Sequence, residues 1–146
     1  PLAPFVGGGA PVGAMETDKG MTGFEGIKSP QDLDRAVARA GERGKWTLLE
    51  FYADWCISCK VMERNVFSAP EVRDAMSEYR LLQVDVTDNT ASDQALLDRY
   101  GLFGPPTLLF FDSSGDELAN ARILGEMDRD EFLQHLDRVS GRMTNG

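Results

Sequence analysis

The sequence predicts an α/β domain in which a mixed central β-sheet is covered by helices on both faces. Two patterns predict it. Short apolar segments alternate with amphipathic helical ones along most of the chain, which favours parallel strands connected by helices. The last two apolar segments are separated only by "DSSGDE", which indicates an antiparallel hairpin. The 146 residues, 42% of them hydrophobic, are enough for one domain with a sizeable core.

Residues 1–22 differ from the rest of the chain. They are rich in glycine and proline and show no hydrophobic periodicity, so we interpret them as a flexible linker that precedes a domain at residues 23–146. The chain begins with Pro1 and has no signal-peptide pattern, which indicates a processed product or a piece of a longer protein. No apolar run approaches the ~20 residues that a membrane-spanning helix needs.

The first half of the domain predicts a strand, a helix and a buried strand. A short strand is expected in "GFEGIKS", and Ser29 and Pro30 are typical of a helix start, as N-cap and first helical residue. The helix is predicted by apolar residues that recur at helical spacing: Leu33, Ala36, Val37 and Ala40. After Gly41 ends it, "WTLLEFYA" at 46–53 is too apolar and too short for a surface helix and predicts a buried strand.

The second half of the domain again mixes helices and strands. From Ile57 the spacing is helical, and Ser68 to Glu71 has the spacing of a capping box, so we expect the helix to restart there and to continue to about Tyr79. The remaining predictions are a strand at 81–86, a helix at 91–101, hairpin strands at 107–111 and 120–124, and a last helix from about Asp128.

The charge of the chain argues against nucleic acid as a partner. It has 15 Lys and Arg against 24 Asp and Glu, a formal net charge of −9. The sequence shows no basic cluster that could release counterions from a phosphate backbone. We therefore expect no nucleic-acid binding and interpret the acidic balance as a solubility feature.

The chemistry of the chain is predicted to lie in its two cysteines, Cys56 and Cys59. Two cysteines are too few for a disulfide scaffold, and a bridge across two residues would restrict the unfolded chain little. Cys56 falls where the buried strand hands over to a helix, where free N–H groups and the helix dipole favour a thiolate. Cys59 lies one turn further, within disulfide reach. This placement suits Cys56 as nucleophile and Cys59 as resolving thiol.

Metal-binding interpretations of the pair are weaker. A zinc site needs four ligands, and the chain adds only His135, far away on the predicted last helix. Covalent haem attachment would need histidine where Lys60 stands. We therefore expect no cofactor and no metal. Two alternatives stay open: an oxidising or isomerising enzyme of the same fold, and a non-enzymatic module that binds copper or zinc through the cysteines.

Two carboxylates are predicted to lie beside the dithiol. Glu50 is in the middle of the buried strand, and Glu63 shares a helix face with Cys56 and Cys59. Negative charge opposes thiolate formation, and a dithiol without a stabilised reduced form is a comparatively good reductant. The alternatives are a strand-edge acid that reaches water for Glu50 and a solvated helix face for Glu63.

The segment "GPPT" is the third element of the predicted site. A Pro-Pro step that enters a buried strand favours a cis bond at Pro106, with an ordinary trans turn as the alternative. Trp55 and Phe103 are interpreted as the frame of a contact surface, with core packing as the alternative.

Together these segments resemble a known family. "FYADWCISCK" and "GPPTLLFF", a helix and a strand apart, resemble the thioredoxin superfamily, and the resemblance covers about residues 24–141. With "ERNVFSAPEV" and "LLQVDVTDN", they are similar to the C-terminal periplasmic domain of the DsbD family of transmembrane thiol:disulfide interchange proteins.

The resemblance implies roles for individual residues. Cys56 would be the exposed nucleophile and Cys59 its buried partner. Glu50 would be the family's buried acid, which is usually Asp, and Glu63 a second acid that tunes the nucleophile. Pro106 would be the cis-proline that faces the dithiol.

The resemblance also implies partners. The membrane-embedded domain of the parent protein would be the electron donor and its N-terminal periplasmic domain the acceptor. The domain would lie in the periplasm, tethered to the bacterial inner membrane, and be monomeric in isolation. One departure concerns docking: the residue before the cis-proline normally offers its N–H to a partner, and Pro105 has none.

Overall fold

A computed structural model describes residues 23–145 of the chain. The linker predicted for residues 1–22 lies outside the described residues. The order of elements along the described part is strand, helix, strand, two successive helices, strand, helix, strand, strand, helix, which is the predicted order with the expected restart of the second helix.

A five-stranded mixed sheet forms the centre of the domain. Its strands are β1 (Glu25–Gly26), β2 (Trp46–Tyr52), β3 (Tyr79–Asp85), β4 (Thr107–Phe111) and β5 (Ile123–Leu124). Their spatial order is β1-β3-β2-β4-β5, with β1, β3 and β2 parallel and β4 antiparallel to both of its neighbours. The prediction of a mixed sheet with a closing hairpin is confirmed.

Helices cover both faces of this sheet. They are α1 (Pro30–Glu42), α2 (Ile57–Met62), which continues as a π-helical segment (Glu63–Phe67), α3 (Pro70–Met76), α4 (Ala91–Tyr100) and α5 (Arg129–Asn145). One core cluster packs Leu49 and Phe51 of β2 against α1 and α4. The other packs Leu48 against the π-helical segment, α3 and α5. Because β2 has a neighbour on each side and helices above and below, any polar residue on it is buried.

Most predicted helix ends are confirmed by their caps. The hydroxyl of Ser29 accepts a hydrogen bond from the Asp32 N–H at 3.1 Å, and Pro30 is the first residue of α1. Gly101 ends α4 in the left-handed conformation, at φ 66°, which glycine adopts without steric cost. The last helix begins at Arg129, one residue after the predicted start.

The capping box predicted at Ser68 is wrong. Ala69 is the N-cap of α3 and makes no side-chain cap, whereas the Ser68 hydroxyl donates to the Arg64 carbonyl at 2.6 Å. The reason is the preceding π-helical segment, whose backbone carbonyls offer Ser68 a partner on the N-terminal side. The helix nevertheless restarts there, with Pro70 at its first position.

Three strand boundaries also differ from the prediction. β3 begins at Tyr79, because that ring is buried and packs edge-on against Phe110 at 5.7 Å, so the preceding helix ends at Met76. β1 is reduced to two exposed residues at the sheet edge. The segment 120–124 contributes only β5, because Ala119–Ala121 forms a 3₁₀ turn.

Candidate active site

The two cysteines lie at the junction between β2 and α2. Cys56 is the N-cap of α2, and its Sγ accepts a hydrogen bond from the Cys59 backbone N–H at 3.1 Å. The two residues form a disulfide, with their Cα atoms 5.2 Å apart. The predicted helix start and disulfide reach are therefore confirmed. An N–H directed at Cys56 Sγ would stabilise a thiolate there once the disulfide is reduced.

The expectation of an exposed Cys56 needs a correction. Cys56 keeps only 7% of its surface exposed, and Cys59 keeps none. Both side chains belong to the core cluster that includes Phe51, Tyr52 and Ala53, because the cysteines follow the end of the buried strand β2. Of the two cysteines, Cys56 alone presents surface to a partner.

Glu50 lies fully within the core, at 1% exposure. β2 is the central strand, so the alternative of a strand-edge acid that reaches water is wrong. Its Oε1 accepts a hydrogen bond from Gln83 Nε2 on β3 at 3.0 Å. Burial raises the pKa of Glu50 from its ordinary 4.5 to about 8; the Gln83 bond opposes the shift, and the charges of Glu63 and Asp85 add to it.

Glu63 is half-buried at the start of the π-helical segment. Its Oε2 is buried and has no hydrogen-bond partner among the described residues, which does not fit a solvated helix face. Burial raises the pKa of the Glu63 carboxyl, and the nearby Lys60 charge opposes that rise. Since the Glu63 charge in turn raises the pKa of Glu50, the structure brings both predicted acids into one electrostatic cluster.

Lys60 supplies a positive charge to this cluster, a feature that the sequence analysis missed. Its Nζ donates to the Tyr52 hydroxyl at 2.5 Å and lies over the Tyr52 ring, 5.1 Å from its centroid. The Tyr52 hydroxyl donates to Asp54 Oδ1 at 2.9 Å. The sequence does not distinguish Lys60 from a solvated lysine. Its partner Tyr52 lies on β2, and the contact forms only when α2 packs beside that strand.

Gln83 is the second residue that the sequence analysis missed. It stands in the buried strand β3, directly beside Glu50 in the parallel register. A signal was available, because a polar residue in the middle of the apolar segment "LLQVDV" is as unusual as Glu50 in "TLLEFYA". Once the structure makes β2 and β3 neighbours, a buried polar residue on each strand indicates that the two are hydrogen-bonded.

The loop before β4 contains the predicted proline. The Pro105–Pro106 peptide bond is cis, as predicted. This loop forms one wall of a groove of about 440 Å³, which we call the proline groove; its lining includes Trp55, Phe103, Pro105, Pro106 and Leu124. The groove brings the cis-proline loop beside Trp55, the residue directly before Cys56.

The proline groove has an apolar, accessible rim. Trp55 is 61% exposed and Phe103 is fully exposed, so the alternative that they pack in the core is wrong. The Trp55 Nε1 donates to the Thr87 carbonyl at 3.1 Å, which fixes the indole on the surface. Large apolar side chains clustered at a groove mark a protein-contact surface.

His135, the one histidine of the chain, lies apart from the two cysteines. Within residues 23–145, no group of three or more His, Cys, Asp or Glu side chains is placed to hold a metal ion. His135 Nε2 lies 2.7 Å from the Ala121 carbonyl and its ring packs on Phe110, so the structure does not bring it to the cysteines.

No helix in the described part of the chain has the length and apolarity of a membrane span.

Known proteins are similar to this chain in sequence and in fold. A thioredoxin-like family model matches residues 28–113. The chain is 45% identical over 119 residues to thiol:disulfide interchange protein DsbD 1 of Pseudomonas aeruginosa, covering 82% of this chain and 20% of that protein. It is 44% identical over 142 residues to DsbD of Ralstonia nicotianae, covering 97% of this chain and 23% of that protein. The chain thus spans about a fifth of the length of these relatives.

Solved structures give the same result at the level of the domain. The C-terminal domain of Neisseria meningitidis DsbD in the reduced form has a TM-score of 0.67 and 38% identity, over 76% of this chain and 96% of that one. A thioredoxin from Thermus thermophilus has a TM-score of 0.64 and 27% identity, over 82% and 88% of the two chains. With a cysteine pair where β2 meets α2, the chain belongs to the thioredoxin-like family, as a thiol–disulfide oxidoreductase domain similar to the C-terminal domain of DsbD.

Proposed function

We propose that this domain is a reductant that passes electrons through the Cys56–Cys59 pair to a disulfide of a partner protein. The observations that carry the proposal are the position of that pair at a helix start and two carboxylates of raised pKa on the same two elements, Glu50 on β2 and Glu63 directly after α2. Burial keeps Glu50 protonated below about pH 8, so it gives a thiolate no stabilising charge there, and above that pH its negative charge opposes the thiolate. A dithiol whose reduced form lacks such stabilisation gives up its electrons readily.

The reaction is two successive exchanges. The Cys56 thiolate attacks one sulfur of the partner disulfide, forming a mixed disulfide and releasing the other sulfur as a thiolate. Cys59, once deprotonated, attacks Cys56 Sγ and releases the second partner sulfur. The partner gains two electrons and two protons, and the domain ends with the Cys56–Cys59 disulfide seen in the structure.

We assign proton transfer at Cys59 to Glu50. Cys59 is wholly buried, so its proton needs an acceptor inside the protein during the second exchange. A carboxyl with a pKa of about 8 is suited to that task, because it can take up and release a proton near neutral pH. Gln83, which donates to the Glu50 carboxyl, holds that carboxyl in place.

Glu50 is expected to delay Cys56 ionisation as pH rises. Glu50→Gln should move the alkylation profile of Cys56 to lower pH, because the charge that opposes the thiolate above pH 8 is removed. The measurement is the rate of iodoacetamide labelling against pH, in a Cys59→Ala background so that Cys56 alone reacts. Glu42→Gln, an exposed acid on α1, is the matched control. An unmoved profile in the Glu50 variant contradicts the tuning role.

The proline groove is proposed as the docking surface for the partner. Pro105 has no N–H, and its carbonyl accepts no hydrogen bond from residues 23–145. A partner strand at this edge must therefore supply an N–H donor at that position. The Pro106 carbonyl is already occupied, because it accepts from the Gly125 N–H at 3.0 Å.

The donor and acceptor are proposed from the relatives. Proteins named thiol:disulfide interchange protein DsbD match this chain over only about a fifth of their length, so they contain further domains. We propose that a membrane-embedded domain of the parent protein reduces this domain and that an N-terminal periplasmic domain accepts the electrons. This places the domain in the periplasm, tethered to the inner membrane.

Equilibration with glutathione tests the direction of electron flow. We expect the domain to remain oxidised in all but the most reducing glutathione mixtures, because its potential should lie well below that of glutathione. The redox state is read by thiol labelling and mass. A domain that stays reduced in the same mixtures is an oxidant or isomerase, which supports the alternative enzyme.

Metal analysis of the reduced protein after exposure to zinc and copper separates the relay from the metal-binding module.

A further inference from the structure

Four basic side chains surround one small pocket, which we call the basic pocket. They are Arg39 on α1, Arg43 directly after it, Lys45 before β2 and Arg80 on β3, and the enclosed volume is about 210 Å³. The expectation that the chain has no basic cluster is therefore wrong. Three of the cations lie within residues 39–45, and the sheet brings Arg80 of β3 beside them.

Much of this positive charge is uncompensated. Arg39 and Arg43 form no ion pair with any residue in 23–145. Arg80 is paired with Glu25, and Lys45 Nζ donates to the Ser77 carbonyl at 3.4 Å, which leaves its charge without an acid. In a chain of net charge −9, such a concentration of cations around one concavity calls for an anionic ligand.

We propose that the basic pocket binds a phosphate group. Arginine presents paired N–H donors that match phosphate oxygens, and three of the four cations are arginines. The volume suits a single small group, and the acidic surface elsewhere disfavours a phosphate polymer such as nucleic acid. The proposed ligand is therefore one phosphate ester, carried either by a soluble molecule or by the headgroup of an anionic phospholipid.

The position of the basic pocket separates it from the dithiol. Lys45 and Arg80 lie at the amino ends of the parallel strands β2 and β3, whereas Cys56 follows the carboxyl end of β2. Seven residues of strand place the two ends roughly 20 Å apart. A ligand in the basic pocket leaves the cysteines open to a partner, so this inference stands independently of the proposed electron relay.

A double variant tests the site. Arg39→Gln combined with Arg43→Gln removes the two unpaired arginines, and Arg73→Gln combined with Arg138→Gln removes two exposed cations on α3 and α5 as a control. Inorganic phosphate is titrated against the amide NMR spectrum. Sedimentation is measured with phosphatidylglycerol vesicles and with phosphatidylcholine vesicles.

We expect saturable shifts at the basic pocket and at least about tenfold weaker binding in the double variant, with the control unchanged. Added salt should weaken the binding. Saturation by phosphate without vesicle binding identifies a soluble ligand, and sedimentation with phosphatidylglycerol alone identifies a lipid headgroup. Absence of both, or equal losses in the control, overturns the proposal and leaves Arg39 and Arg43 as partners of the α1 C-terminal carbonyls.

Discussion

Replacing Cys59 with alanine is expected to lower turnover by at least about 10³-fold while leaving Cys56 able to form a mixed disulfide. Without the resolving thiol, the second exchange has no nucleophile and the covalent intermediate accumulates. Insulin reduction with dithiothreitol as electron source measures the turnover. With 5,5′-dithiobis(2-nitrobenzoate), the reduced wild type should release two equivalents of thiolate and the Cys59→Ala variant one.

The matched control for this result is Cys56→Ala. It leaves Cys59, which has no exposed surface, as the remaining thiol, so its reaction with the same reagent should be very slow. A Cys56→Ala variant that reacts as fast as the wild type would show that the assigned order of attack is reversed. Cys56 is the one cysteine left in the Cys59→Ala variant, so an intact mass that includes the partner assigns the bond to Cys56.

Glu50→Gln is expected to change how stability depends on pH. The folded state holds the Glu50 proton up to a pKa of about 8, whereas the unfolded chain releases it near 4.5. The folded state therefore binds more protons in this window, and its stability falls as pH rises through it, by about 5 kcal/mol for this group. The glutamine variant does not titrate there, so it should become more stable than the wild type above pH 8.

Urea unfolding between pH 5 and pH 9 measures the effect. The disulfide form should be used, because bonded cysteines do not titrate. Differences between variant and wild type cancel the contribution of His135, whereas the charge of Glu63 is coupled to Glu50 and forms part of the measured effect. Glu42→Gln serves as the exposed control. A difference between the Glu50 variant and the wild type that stays constant with pH would show that Glu50 is ionised in the folded protein throughout.

The fold could be predicted because its determinants are local. Ser29 and Pro30 mark a helix start, Gly101 marks a helix end, and apolar runs separate buried strands from amphipathic helices. Boundaries failed where tertiary packing decides. Tyr79 enters the sheet because its ring has a place in the core, and Ser68 leaves its predicted cap for the Arg64 carbonyl.

The site could be predicted only in part, because some of its residues are marked by local sequence and others only by tertiary packing. Cys56, Cys59 and Glu50 follow from a spacing, a strand-to-helix junction and a polar residue in an apolar run. Contacts between separate helices and strands could not be predicted from local sequence patterns. Gln83, the Lys60 contact to Tyr52 and the basic pocket depend on which segments the sheet order makes neighbours.

The parallel alignment of the first strand has a geometric consequence. Because β1 runs in the same direction as β3 and β2, the backbone enters the folded body at the pole opposite Cys56. Residue 23, the first that the structure describes, therefore lies toward the end of the sheet away from the reactive sulfurs, so a partner that docks at Cys56 does not meet this end of the described chain.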